Sequence, residues 1–147
     1  MPCNRGRTTA LAATRTAGAF PYNVTPAHTA RARAVLGPDR WLCVEQKVLR
    51  VTTPTTARAV ARQAMAFYLP LTNYRQNWLR LGFGEEDLAN GGSDRFLDAM
   101  VAWGDETAIR QRIQAHFEAG ASHVCIQPLH PEGLPLPDLE ALAALAP

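Results

Sequence analysis

The side chains best suited to chemistry lie near the ends of short apolar runs. Glu45 and Lys47 stand two apart in Trp41–Val51 (WLCVEQKVLRV), so in a strand both point to the same face. They read as an ion pair, as residues exposed at the strand's start, or as a polar pair facing a pocket. Gln127 closes the apolar run His123–Gln127. Ligands of α/β folds collect at the carboxyl ends of strands. That rule makes Gln127 a candidate ligand contact, and likewise Tyr22, Asn23, Thr52 and Thr53. A long stretch, Tyr68–Asn77 (YLPLTNYRQN) with Trp78 and Arg80, is rich in aromatic and amide groups. Long segments inside compact domains often cover a ligand. The alternative is a surface hairpin with Tyr74, Trp78 and Leu81 packed inward.

Other groupings carry less. No GxGxxG, GxxxxGK[ST], HExxH or GxSxG pattern occurs. Gly91-Gly92-Ser93-Asp94 reads as a phosphate-cradling turn or as a loop with a helix cap. His116, His123 and His130 recur every seventh residue, but on a helix, a strand start and a strand end, so they do not converge on a metal. Cys3, Cys43 and Cys125 form no CxxC pair, which fits a reducing cytoplasm better than a disulfide framework. Cys125, between Val124 and Ile126, reads as a small buried hydrophobe. A net charge of +2 with a single lysine argues against nucleic acid as a partner. No apolar run is long enough to span a bilayer. Met1–Arg15 has arginines and no acids, as transit peptides do, or is an ordinary start; it lacks the apolar centre of a secretory signal.

The elements that must position these groups follow from periodicity. The chain has 147 residues, 47% of them hydrophobic and 19% charged, which suits one globular α/β domain. The clearest unit is Gly104–Leu129. Asp105 reads as an N-cap, Ile109–Ile113–Phe117 as a buried stripe, Gly120 as a left-handed stop, and His123–Gln127 as a buried strand. Helix then strand implies a parallel sheet. Upstream, a helix ends near Ala17 and Ala19–Val24 is a strand. Thr25-Pro26 caps a helix to Leu36, which Gly37-Pro38 stops. Trp41–Val51 is the next strand. A helix over about Thr56–Tyr68 carries Ala57, Val60, Ala64 and Phe67 on one face. Leu71–Leu81 is helical, Gly82–Gly84 breaks it, and Asn90-Gly91-Gly92 turns. Ser93 caps a helix to about Trp103, and a last helix spans Asp138–Leu145. Strands followed by helices predict repeated βα units with right-handed crossovers.

Five segments in this order, LAATRTAGAFPYNVTPAHTARARAVLGP, EQKVLRVTT, LPLTNYRQNWLRLGF, SDRFLDAMVAWGD and AGASHVCIQPL, cover most of Ala10–Leu129. Together they resemble the C-terminal part of the luciferase-like monooxygenase superfamily, in its branch of oxidoreductases that use the deazaflavin coenzyme F-420. The resemblance implies that residues 10–147 are the last three βα units of a (β/α)8 TIM barrel, an incomplete barrel, while residues 1–9 fall outside it. Ala19–Val24, Trp41–Val51 and His123–Pro128 then look like strands six, seven and eight. The implied activity is hydride transfer between an organic small-molecule substrate and F-420, with FMN as the alternative cofactor. Tyr22, Glu45 and Gln127 are the expected cofactor contacts, and Tyr74, Asn77 and Trp78 the expected substrate contacts. The family tends to have histidine where Phe20 stands, so a polar group is lacking there. Members are about twice as long. Three strands cannot close a barrel of eight, so the expectation includes a homo-oligomer, a complementing chain, or an inactive, self-associating remnant.

Overall fold

The structure, a computed structural model, describes residues 6–146, so much of the segment expected to lie outside the resemblance falls beyond it. Its elements are α1 (Gly6–Arg15), β1 (Gly18–Ala19), α2 (Pro26–Leu36), β2 (Trp41–Leu49), α3 (Pro54–Met65), α4 (Thr72–Arg80), a 3-10 turn (Glu86–Leu88), α5 (Asp94–Met100), β3 (Val101–Trp103), α6 (Glu106–Glu118), β4 (His123–Pro128) and α7 (Leu139–Leu145). The fold is mixed α/β with a four-stranded sheet, and every strand pairing is parallel.

β2 is the axis of this sheet. Backbone groups of Trp41 and Glu45 bond to Ala17 and Pro21, and that of Leu49 to Gly104, whereas those of Leu42 and Val48 bond to Ser122 and Leu129. Successive residues of a strand turn their backbone groups to opposite edges. β1 and β3 therefore share one edge of β2, end to end, and β4 runs along the other from Cys43–His123 to Val48–Pro128.

Side chains alternate across β2 in the same way. Leu42 and Val44 pack with Ala12, Ala32 and Leu36 of α1 and α2, and Val48 with Ile109 and Leu145 of α6 and α7. Glu45, Lys47 and Leu49 face the other side. There Leu49 joins the largest cluster, built by α3, α4 and α5 around Trp78, Phe96, Leu97 and Met65. Trp78 is fully buried and edge-on to Phe96, with ring centroids 4.8 Å apart.

Local chemistry explains the helix ends. Thr25 and Asp105 accept the N–H groups of His28 and Ala108, and Asp138 that of Ala141. Gly120, at φ +98°, ends α6: Ala121 N–H donates to His116 O and Gly120 N–H to Phe117 O, both at 2.9 Å.

Several expectations need correction. The strand expected over Ala19–Val24 pairs only at Gly18–Ala19, because Asn23 takes a left-handed turn (φ +55°) to meet Glu45 and Lys47. The helix from Ser93 stops at Met100 and not at Trp103. Its last carbonyls are taken by the Arg112 guanidinium (Asp98 O 3.0 Å, Ala99 O 2.8 Å) and the Gln46 amide (Met100 O 3.1 Å), which frees Val101–Trp103 to pair with β2. On α3 the inward face is Ala57, Val60, Ala61 and Met65, while Phe67 lies beyond the helix and is 72% exposed. On α6 Ile109 is buried but Phe117 is exposed, and the buried residue of that turn is His116. The strand His123–Pro128 is only half-buried, and so is Cys125, because among the described residues no strand lies along its outer edge.

Candidate functional site

Lys47 organises a polar cluster near the carboxyl end of β2. Its side chain is 1% exposed. The ammonium donates to Glu45 Oε1 at 3.1 Å and to Asn23 Oδ1, and it sits 4.1 Å from the Tyr22 ring centroid and 5.1 Å from that of Tyr68. Strand geometry puts Glu45 and Lys47 on one face. The left-handed residue Asn23 brings the third partner. Its N–H donates to Glu45 Oε2 at 3.1 Å, and its carbonyl accepts the Trp78 indole N–H at 3.0 Å. A buried ammonium beside one carboxylate and two aromatic faces is compensated, where a lone charge would not persist. Burial pushes the Lys47 ammonium below its ordinary range, and Glu45 pulls it partway back.

The chain's three tyrosines run along this cluster in tilted and edge-on contact. Tyr22 and Tyr68 rings lie 5.6 Å apart, Tyr68 and Tyr74 5.3 Å, and Tyr74 stacks on Trp78 at 5.7 Å. Burial pushes the Tyr22 phenol well above its usual range, with the Tyr68 hydroxyl and Glu45 adding to the effect; burial likewise raises Tyr74. Tyr22 therefore keeps its proton and donates it to Gln127 Oε1 at 2.6 Å. A hydroxyl has one proton, so the 3.2 Å contact between the two phenols is a donation from Tyr68 to Tyr22.

Of the expected cofactor contacts, Tyr22, Glu45 and Gln127 come together, with Lys47 at their centre. The expected substrate contacts divide. Tyr74 is half-buried at the end of the tyrosine row, Asn77 is 3% exposed and Trp78 is fully buried in the core. Trp78 thus reaches the cluster through its bond to Asn23 and its stacking on Tyr74. Thr52 and Thr53 are exposed at the start of α3. Gly91 and Gly92 form a turn, with Ser93 capping α5 and Arg62 donating to Gly92 O at 3.2 Å. Lys47 and Asn23 are the residues that sequence reasoning undervalued. The signal was the one lysine of the chain inside an apolar strand, two residues after a glutamate. Among the described residues three buried side-chain nitrogens have no partner: Asn23 Nδ2, His28 Nδ1 and Asn77 Nδ2.

A cavity of about 610 Å³ opens beside this cluster. Lys47, Tyr68 and Gln127 form its polar floor, with His130 at the rim, and residues 133–137 (GLPLP) with Val60 and Ala64 of α3 make its apolar wall. Gln63 Nε2 donates to Gly133 O at 3.1 Å and Leu129 pairs with Pro137, which ties this wall to α3 and to the end of β4.

On the opposite face of β2 lies a second polar network. Gln46 Nε2 donates to the Lys47 and Met100 carbonyls, so its oxygen must accept from His116 Nε2 at 3.0 Å, and His116 Nδ1 accepts from Thr29 Oγ1 at 2.8 Å. Burial, with Arg112 and His28 nearby, pushes His116 down to about 4; burial, with Arg31 and Arg80, does the same to His28. Neutral His116 ties α6 and α2 to β2. The three histidines at sevenfold spacing do not meet: His116 is buried under β2, His123 is exposed, and His130 lines the cavity. Among the described residues no group of three His, Cys, Asp or Glu side chains is placed to hold a metal, and no helix is long and apolar enough to cross a membrane. Compared with protein-family models and with curated proteins, the chain matches none.

Proposed function

We propose that this chain carries C-terminal βα units of a luciferase-like oxidoreductase barrel and contributes to hydride transfer between an organic substrate and coenzyme F-420, with FMN as the alternative cofactor. The observation that carries the reading is the meeting of Tyr22, Glu45, Lys47 and Gln127 beside a cavity at the carboxyl ends of parallel strands. Ligand sites of such sheets form there. β1, β2 and β4 are also adjacent in the order that strands six to eight of such a barrel require. The residues fit the group: Gln127 lines the cavity, and its unspent amide N–H groups offer donors to a carbonyl oxygen of a deazaflavin or flavin ring. The coenzyme, when bound, accepts or delivers the hydride. The chain's own residues bind and orient it. Glu45 holds Lys47 charged, the tyrosines hold Gln127, and the 133–137 wall excludes water.

A fluorescence titration with oxidised F-420, and FMN for comparison, tests this. Saturable binding at micromolar concentration that weakens at least tenfold in Gln127→Ala supports it. No binding by a folded chain leaves the second reading, an inactive, self-associating remnant. One observation favours that alternative. β4 is half-buried, and an apolar groove of about 1150 Å³ runs between α6, β4 and α7, lined by Ile113, Phe117, Val124, Ile126 and Leu142.

A further inference from the structure

We infer that the cavity between α3 and the 128–137 segment binds an organic carboxylate with an apolar body. This deepens the proposed function by naming its substrate class, and it rests on the premise that this face takes a small molecule. Three features of the lining carry it. First, among the described residues the lining contains no aspartate or glutamate, and its one cation is Lys47. Glu45 lies behind Lys47, 4% exposed, with both oxygens occupied by Lys47 and Asn23. Second, Gln127, His130 and Lys47 each keep an unspent donor, whereas Gln63 and Tyr68, which donate to Gly133 O and to Tyr22, keep acceptors. Gln127 Oε1 is taken by Tyr22, so its amide N–H groups remain. His130 Nδ1 accepts the Glu132 N–H at 3.2 Å, which leaves the imidazole proton on Nε2. The ammonium of Lys47 uses two donors on Glu45 and Asn23, and its third faces only the rings of Tyr22 and Tyr68. The Lys47 side chain is 1% exposed, so a carboxylate oxygen reaches that N–H by displacing the ring faces, softer acceptors that it outcompetes. Third, the wall opposite is apolar, made of Val60, Ala64, Leu134 and Leu136 with two prolines, and Leu136 is 62% exposed. An apolar body would cover that wall while the carboxylate reached the donors. A neutral polar ligand would leave the third ammonium N–H on the ring faces, and a polyanion would waste the wall.

The test is a calorimetric titration of the chain with 4-phenylbutyrate, 4-phenylbutyramide and 4-phenylbutanol, which share one body. The carboxylate is expected to bind at least tenfold more tightly than either neutral analogue. That preference should vanish in the double variant Glu45→Gln/Lys47→Met, which removes the pair without stranding a charge. Equal binding of acid and amide, or no binding of the acid by folded protein, overturns the inference. If the double variant fails to fold, the analogue series on the unaltered chain still decides. F-420 is titrated separately. A chain that prefers the carboxylate but ignores F-420 keeps the inference and loses the coenzyme reading. One that binds F-420 with no carboxylate preference does the reverse.

Discussion

At the scale of single residues, the charge pair under the cavity decides most. Glu45 and Lys47 are 4% and 1% exposed, so neither can turn to water when the other is lost. Lys47→Met should therefore cost about 3–5 kcal/mol by chemical denaturation, because it strands a buried carboxylate. Adding Glu45→Gln should recover much of that loss; if the double variant is no better than the single one, the pair is not coupled as described. The buried histidines set a second test. His28 and His116 are held neutral, with folded values of about 4 against 6.5 when exposed. Between those limits the unfolded chain binds protons that the folded chain refuses, so stability falls as pH drops through that window. Each histidine should cost about 2–3 kcal/mol between pH 7 and pH 4.5. Denaturation midpoints at the two pH values check this, and His116→Gln should flatten the slope even if it lowers the plateau.

At the scale of elements, the site depends on helices that never touch a ligand. α4 holds Trp78, whose indole N–H fixes the Asn23 carbonyl and, through it, the left-handed turn that places Asn23 and Tyr22. Trp78→Phe keeps most of the packing but removes that bond. It should lower stability by about 1–2 kcal/mol and weaken carboxylate binding as well; a purely structural tryptophan would move the first measurement and not the second. α6 is set by its ends. Asp105→Ala removes the side-chain bond to Ala108 N–H (2.8 Å) and should cost about 1 kcal/mol in thermal unfolding. Gly120→Ala should cost more, since position 120 sits at φ +98° and a Cβ there would lie 2.7 Å from Arg33 Cγ. That arginine is itself tied to Gly120 O, Gly37 O and Ser122, so α2, α6 and the start of β4 would move together.

At the scale of the whole molecule, the sheet is well covered on one side of its axis and open on the other. β2 is bonded along both edges, whereas β4 has its outer edge free among the described residues and the apolar groove beside it. An unpaired strand edge next to apolar side chains is a template for association. Sedimentation at rising concentration should show reversible self-association. Phe117→Asp with Leu142→Glu, at positions 42% and 37% exposed, should suppress it without lowering the unfolding midpoint. A chain that stays monomeric at high concentration removes the motive for the self-associating reading.

Local chemistry was enough to read much of this protein from its sequence. Caps at Thr25, Ser93 and Asp105, stops at Gly37 and Gly120, and the two-residue alternation of β2 all act within a few residues of themselves. Tyr22 and Gln127 were legible as candidates because each stands near the end of an apolar run, and Glu45 because it stands two residues before Lys47. What the tertiary structure alone decided involves partners far apart in the chain. β3 exists because Arg112 and Gln46 take the last carbonyls of α5. Asn23 leaves the strand conformation because Glu45, Lys47 and Trp78 each bond to it. His116, polar on an apolar face, is buried because Thr29 and Gln46 wait on two other elements. Periodicity reports which face is apolar. It carries no record of which distant donor meets which acceptor, and in this protein those long-range bonds place the lysine at the floor of its cavity.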